Sequence, residues 1–174
     1  LLEDESECLY LVRERYPAQA RVALDTVLSE RNSRAVMPVR LSPADVPEGL
    51  QQLHLQFSAA ADLLSFDSTE PFDFSTLPEG WEMEDWDIRP QAERMVLRIR
   101  AAGPPLDTTT LLCRLHLNVH SQPVYRVPVR IDAPGLFNNT REAVCEDGLV
   151  VIRDSCFNNL VVQSGLIVSR PWPQ

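Results

Sequence analysis

Two histidines four residues apart are the first candidates for metal binding in this chain. His116 and His120 have the HxxxH spacing that, on a helix, places two imidazoles on one face where they bind zinc. The residues around them instead alternate between apolar and polar types, as in a strand. Two such positions on a strand lie about 13 Å apart, too far to share one metal ion. We therefore predict two solvated histidines on a strand face and no metal site.

Acidic residues are concentrated between Asp62 and Asp87, where nine carboxylates occur without a basic residue. Within this stretch Asp67, Glu70 and Asp73 could offer oxygen ligands to Ca²⁺, which prefers several carboxylate and carbonyl oxygens. Their spacing is not that of an EF-hand loop, which has glycine at its sixth position. We predict solvated acids and no cofactor, with Ca²⁺ binding as the alternative.

Four cysteines match no zinc pattern. Cys113 lies among the core-facing residues of a strand and is expected to be a buried thiol. Cys145 and Cys156 flank a short apolar segment, and we predict that they form a disulfide worth about 3 kcal/mol in the chain-entropy model. Such a bond suits an extracellular protein, and two unpaired thiols are the alternative.

Tryptophans are the usual platforms for carbohydrate binding, and this chain has three, at Trp81, Trp86 and Trp172. Trp81 and Trp86 are five residues apart, so an unbroken strand would point them to opposite faces. At least one of them is therefore expected in the core. A carbohydrate-binding sandwich module is the alternative function.

Sequence motifs of common enzyme classes are absent. The six glycines form neither a GxGxxG nor a GxxxxGK loop, and there is no GxSxG elbow. The net charge of -9 argues against a nucleic-acid partner, which would require a basic surface. No apolar run approaches the ~20 residues of a membrane helix. We predict a non-catalytic binding domain that neither binds nucleic acid nor inserts into a membrane.

Alternation with a period of two dominates the chain and indicates strands with one wet face. It is clearest in segments 34–41, 52–58, 93–101, 111–120 and 124–132. Weaker strands are predicted at 20–29, 62–66, 80–88 and 148–153, with a hairpin at 159–169. This pattern predicts an all-β fold, an antiparallel β-sandwich of about nine strands plus an extra C-terminal hairpin. Short helical turns are predicted only at 42–50 and 59–64.

The apolar face of each strand should lie between two sheets about 10 Å apart. A slip of one residue would turn a whole strand inside out, so the predicted core is sharply defined. It consists of Met37, Val39, Leu53, Leu55, Phe57, Leu97, Ile99, Leu115, Leu117, Val127 and Val129. We assign residues 18–170 to the sandwich, 1–17 to an N-terminal extension or linker, and 171–174 to the start of a C-terminal linker.

Short motifs between Val22 and Ile131 carry a family resemblance. Residues 37–41 (MPVRL) are similar to a "vPV.l" segment, residues 45–57 to "vp.gl…f.l", and residues 111–117 to "G.L..l.F.v" without its glycine. In this order they resemble the cohesin domains of bacterial cellulosomal and non-cellulosomal proteins. The resemblance implies a cohesin-like jelly roll that serves as a protein-binding or scaffolding module. It also implies a secreted or cell-surface bacterial protein with a dockerin-like partner.

In cohesins the partner lies on the flat face formed by the fifth, sixth, third and eighth strands. Matching strand by strand, the resemblance implies a partner-binding face made of Gln52, His54, Gln56, Val96, Arg98, Arg100, Arg126 and Arg130. This face is expected to be polar and positive, with Val96 as its apolar centre. Because arginine binds carboxylates in pairs, we predict an acidic protein or peptide partner. The alternative is that these arginines only keep an exposed sheet soluble.

Overall fold

The computed structural model describes residues 19–43, 49–73, 75–132, 135–137 and 142–153, and all regular elements among them are strands. The all-β prediction is therefore confirmed. The strands are β1 (Gln19–Leu24), β2 (Thr26–Glu30), β3 (Arg34–Ser42), β4 (Leu50–Ala60), β5 (Leu64–Phe66), β6 (Phe72–Asp73), β7 (Glu82–Gln91), β8 (Arg94–Leu106), β9 (Thr110–Val119), β10 (Arg126–Ile131), β11 (Gly135–Phe137), β12 (Glu142–Glu146) and β13 (Gly148–Arg153). The predicted hairpin at 159–169 lies outside the described residues, as do the predicted extension and C-terminal linker.

Two sheets pack face to face. One runs in the order β12-β1-β3-β9-β5, with β6 also paired to β9, and the other in the order β2-β13-β10-β4-β8-β7, with β11 also paired to β4. Most pairs are antiparallel, as predicted, and two are parallel, β1 with β12 and β2 with β13. The parallel pairs join elements from opposite ends of the described chain, so alternation within a single segment does not reveal them.

All eleven predicted core residues lie inside the sandwich, with exposures of 0% or 1%. Their polar neighbours face outward, as at Arg98 and Arg126. This confirms the predicted inward and outward faces of strands β3, β4, β8, β9 and β10. The core is mainly aliphatic, and Phe57 is its largest fully buried side chain.

The single strand predicted at 20–29 is two strands, because the chain changes sheets at Asp25. The same happens at Asp147, between β12 and β13. There the Asp147 carboxylate accepts a hydrogen bond from the backbone N–H of Ile131 at 3.0 Å. These two breaks, together with the short strands β6 and β11, raise the strand count above nine, and each break places an aspartate where the chain passes from one sheet to the other.

The helical turn predicted at 59–64 is wrong. Ala59 and Ala60 complete β4, where Ala59 pairs with Met95, and Leu64 begins β5. Only a tight turn lies between them, closed by a hydrogen bond from Leu63 N–H to Ala60 O at 3.1 Å. Pairing with two different sheets outweighs the helical preference of so short a segment. The turn predicted at 42–50 falls largely on residues 44–48, outside the described residues.

Candidate functional site

Five of the eight predicted binding residues form one cluster on the outer face of the seven-stranded sheet. Strand β4 places His54 opposite Arg100 and Gln56 opposite Arg98 on β8, because the two strands are paired in register. Arg98 donates a hydrogen bond from Nε to Gln56 Oε1 at 2.9 Å. Gln52 follows one pleat further along β4. We call Gln52, His54, Gln56, Arg98 and Arg100 the central face.

Two shallow depressions lie on the central face. One, of about 200 Å³, is lined by His54, Arg98 and Arg100 together with acidic residues of β7. The other, of about 310 Å³, is lined by Gln52, Leu53, Arg100 and Glu84 of β7. Neither is a deep cavity, so the surface is better suited to contact with another macromolecule than to enclosing a small molecule.

Of the other three predicted residues, Val96 and Arg130 border this cluster, and Arg126 lies apart from it. Arg130 is aligned with Ser58 on β4. From this aligned pair, Gln52 lies six residues away along β4, and Arg126 lies four residues away along β10 in the opposite direction. At ~3.3 Å per residue, Gln52 and Arg126 are therefore roughly 30 Å apart. Val96 is only 4% exposed and does not form the accessible apolar centre that the sequence predicted.

Long polar side chains flank Val96. Arg89 stands opposite it on β7, and Arg94 on its own strand donates from Nε (2.8 Å) and Nη2 (2.6 Å) to the buried hydroxyl of Ser58. Val96 is also absent from the core between the sheets. Alternation correctly indicated its side of the strand, but its burial depends on neighbours that are distant in sequence.

An acidic row on β7 borders the central face, which the sequence predicted to be positive. Pairing of β7 with β8 aligns Asp85 with Arg100 and Asp87 with Arg98. Asp87 also forms an ion pair with Arg89 on its own strand. The face is therefore bipolar rather than uniformly basic. A bulge between Met83 and Asp85 sets this register, and alternation alone does not indicate where the bulge occurs.

The outer face of the six-stranded sheet also carries arginines, but each of these is paired with a carboxylate. The N–O distances are 2.8 Å for Arg21–Glu146, 3.1 Å for Arg34–Glu70, 3.2 Å for Arg40–Asp25 and 3.6 Å for Arg114–Asp73. Among the described residues, by contrast, no carboxylate comes within 4.0 Å of the guanidinium of Arg98, Arg100, Arg126 or Arg130. Among the arginines described on the two outer faces, those without a carboxylate partner therefore all lie on the seven-stranded sheet.

The two histidines of the HxxxH segment have separate structural roles. His116 is only 8% exposed, so the prediction that it is solvated is wrong. Its Nδ1 lies 2.8 Å from the backbone oxygen of Glu70 and also contacts the guanidinium of Arg34. His120 bonds the backbone oxygen of Asp62 (3.1 Å) and the hydroxyl of Ser65 (3.0 Å). His116 ties the loop before β6 to β9, and His120 ties the turn before β5 to the end of β9.

The acidic loop after β5 uses its carboxylates to cap turns. Asp67 Oδ1 accepts hydrogen bonds from Thr69 N–H (2.9 Å), the Thr69 hydroxyl (2.8 Å) and Glu70 N–H (3.1 Å). Asp73 likewise accepts from the N–H (2.8 Å) and hydroxyl (3.0 Å) of Ser75. In the part of the chain that the structure describes, no group of three or more His, Cys, Asp or Glu side chains is placed to hold a metal ion. The loop geometry therefore gives the Ca²⁺ alternative no support.

The pKa of Asp67 should be measurably low in the folded protein. Backbone N–H donation from Thr69, then from Glu70, lowers its pKa from 3.8 to about 2, aided by Arg34. Because the folded-state pKa is the lower one, this contribution to stability is complete above about pH 4 and is lost as the pH falls toward 2. A carboxyl NMR titration should show the low value, and Asp67→Asn should flatten the stability profile below pH 4. A midpoint at 3.8 or higher would contradict the capping role.

Trp81 and Trp86, the tryptophans among the described residues, do not form a sugar-binding platform. Trp81 is 6% exposed and donates from Nε1 to Pro104 O at 3.0 Å, which confirms that at least one tryptophan is in the core. Trp86 is 39% exposed and meets the ring of Phe72 edge-on, with centroids 5.6 Å apart. After the β7 bulge, Trp86 is aligned with the core residue Ile99, on the side of the strand opposite to Asp85 and Asp87. Trp172 lies outside the described residues.

The cysteines differ in environment. Cys113 is fully buried, as predicted, and burial raises the pKa of its thiol. Burial also raises the pKa of Cys145, which is half-buried on β12. Cys156 is outside the described residues, so the Cys145–Cys156 disulfide stays a prediction.

Comparison with solved structures gives consistent matches to cohesins. The third cohesin of ScaC from Acetivibrio cellulolyticus, solved with the ScaB dockerin, matches with a TM-score of 0.63 at 14% identity over 78% of this chain and 99% of that one. The seventh ScaB type I cohesin of Pseudobacteroides cellulosolvens gives 0.58 at 10% identity, over 79% and 94%. The chain has the cohesin fold. The sixth cohesin of scaffoldin B from Acetivibrio cellulolyticus, solved with a Cel5 dockerin, gives 0.57 at 18% identity, over 78% and 99%.

At these identities the likeness concerns the cohesin fold alone. No family model and no curated protein matches the chain. Three-dimensional similarity thus confirms the predicted cohesin-like sandwich. In the sequence, only short motifs indicated the likeness to cohesins. Within the described ranges, no helix is long and apolar enough to span a membrane.

Proposed function

We propose that this domain is a non-catalytic protein-binding module of a secreted or cell-surface bacterial protein. Its partner would be dockerin-like and would dock on the central face, with Arg130 at the margin. The observation that carries the proposal is the contrast between the two sheets: arginines on one outer face are ion-paired, whereas Arg98, Arg100 and Arg130 are not. The cohesin fold adds support, because two of the structures compared above are cohesins in complex with dockerins.

The charges of the central face suggest how a partner would be oriented. Carboxylates of the partner would pair with Arg98 and Arg100, whose planar guanidinium groups bind carboxylates in a bidentate manner. Basic side chains of the partner would lie over Asp85 and Asp87 on β7. A surface with opposite charges on neighbouring strands discriminates between two docking directions, because the reversed one places like charges together.

Charge reversal at the central face tests this proposal. Binding of the full chain to a panel of recombinant dockerin modules, and to secreted proteins of the source organism, would be measured by biolayer interferometry. We expect Arg98→Glu/Arg100→Glu to weaken binding at least about tenfold, because attraction to carboxylates becomes repulsion. The association rate of the unmodified chain should fall as salt concentration rises.

The matched control is Arg21→Glu/Arg40→Glu on the other sheet, which changes the net charge equally. These arginines already pair with Glu146 and Asp25, so binding of the partner should be unchanged, provided that circular dichroism shows both variants folded. Equal loss in both double variants would show a non-specific charge effect. Full binding by Arg98→Glu/Arg100→Glu would place the binding surface elsewhere.

A further inference from the structure

A small apolar surface with one basic edge lies at the far corner of the seven-stranded sheet. Strand pairing aligns Leu28 of β2 with Val151 of β13, and Val151 with Arg126 of β10. One pleat away, Leu149 is aligned with Pro128. All five point outward, since their alternate neighbours Val27, Val127, Val129, Val150 and Ile152 face the core. We call Leu28, Arg126, Pro128, Leu149 and Val151 the corner patch.

The corner patch differs from the exposed apolar positions of the six-stranded sheet in having apolar residues aligned with each other across strands. Leu28 is 56% exposed, Pro128 is exposed, and Leu149 and Val151 are half-buried. Val36 and Val144 on the six-stranded sheet are exposed at 43% and 40%. Val36 is aligned with His116, and Val144 with the ion-paired Arg21, so neither has an apolar residue aligned with it on the paired strand. Single exposed apolar residues are ordinary, whereas a contiguous group indicates contact with a partner.

The charges around the corner patch indicate the sign of the charge that the partner should carry there. Glu30, the acid at this end of β2, is aligned with Arg153 rather than with Arg126. Arg126 has no carboxylate within 4.0 Å in the described ranges, on a chain whose net charge is -9. An unpaired guanidinium beside apolar side chains complements a segment that offers both a carboxylate and apolar groups.

We propose that the corner patch is a second docking surface, separate from the central face, for an acidic amphipathic helix of a partner protein. Neighbouring side chains of the patch lie about 5 Å apart across strands and about 7 Å apart along them. Helix residues at i, i+3 and i+4 are spaced by about 5–6 Å, so one apolar stripe covers Leu28, Val151 and Leu149 together. A carboxylate at the edge of that stripe then reaches Arg126.

Synthetic peptides test this inference on the full chain. The probe is an 18-residue helical peptide with a leucine stripe bordered by glutamates, compared with a scrambled version and with one that carries lysine in place of glutamate. We expect the glutamate peptide to shift amide NMR signals of Leu28, Leu149 and Val151, and the other two to bind at least about tenfold more weakly. Equal binding of the scrambled or the lysine peptide, or signal shifts elsewhere, would overturn the proposal.

Variants separate the corner patch from the rest of the surface. Leu28→Ser and Arg126→Glu should each weaken binding of the glutamate peptide at least about tenfold. Val36→Ser, Val144→Ser and Arg21→Glu are matched controls that should leave it unchanged. Arg98→Glu/Arg100→Glu should also leave it unchanged, so failure of this inference and failure of the central-face proposal are distinguishable.

Two other occupants of the corner patch would also overturn the proposal. A second copy of the chain would appear as a dimer in sedimentation equilibrium that Leu28→Ser dissociates. Residues 154–174 of the same chain would appear as nuclear Overhauser contacts to Leu28 in the free monomer. A free monomer without such contacts, which binds the glutamate peptide through Leu28 and Arg126, supports the proposal.

Discussion

Replacing Phe57 by alanine is expected to lower the free energy of unfolding by about 3–5 kcal/mol. Phe57 lies in β4, which has paired strands on both sides, and its side chain is 0% exposed. Strand pairing aligns it with Leu97 on β8 and with Ile131 on β10, both of which are buried. Removing the ring leaves a cavity in a layer that both sheets line, and close-packed strands collapse only partly into such a space.

Urea denaturation followed by tryptophan fluorescence measures this effect. Gln52→Ala on the same strand is the matched control, because Gln52 is exposed and its replacement should change stability by no more than about 0.5 kcal/mol. A loss of less than about 1 kcal/mol for Phe57→Ala would mean that β4 does not lie at the centre of the sandwich as described.

Replacing Gly103 by alanine is expected to cost about 3 kcal/mol, although only one methyl group is added. A Cβ at this position would lie 2.4 Å from Cγ, 2.5 Å from Cδ1 and 2.8 Å from Cα of Trp81. Trp81 is 6% exposed, and its indole N–H bonds Pro104 O. Because one of the close atoms belongs to the backbone, a change of rotamer does not relieve the clash. Either the tryptophan leaves its site or β8 moves.

A double-mutant cycle assigns the Gly103 effect to Trp81. In a Trp81→Ala background, Gly103→Ala should cost at least about 1 kcal/mol less than in the unmodified chain, since alanine lacks the Cγ and Cδ1 atoms that lie closest to the added methyl group. Near-ultraviolet circular dichroism of Gly103→Ala should also change as the indole shifts. The same cost in both backgrounds would show that the clash involves another group.

The pattern of the sequence was sufficient to predict the inward and outward faces of most strands. Residues such as Leu53, Leu97 and Val127 are buried because alternate side chains of a strand must point to opposite sides. This property is local, so a segment of seven or eight residues determines it without knowledge of its partners. The same locality explains why Gln52, His54, Arg98 and Arg100 were correctly expected to face outward.

Pairing between distant segments decided what the outer faces can do. The bulge before Asp85 aligns Asp85 and Asp87 with Arg100 and Arg98, which makes the predicted positive face bipolar. Burial of His116 depends on the loop that contains Glu70, and separation of Arg126 from Gln52 depends on where β10 meets β4.

Alternation depends on residues that are close together in the sequence, whereas strand pairing depends on residues that are far apart. Alternation along one strand determined the core, whereas the arrangement of charges on the surface depends on the register between strands. Register follows from the packing of both sheets and from bulges, to which residues far apart in sequence contribute together. The sequence by itself therefore determined an all-β sandwich and its core. Only the tertiary structure decided which arginines are paired and which are available to a partner.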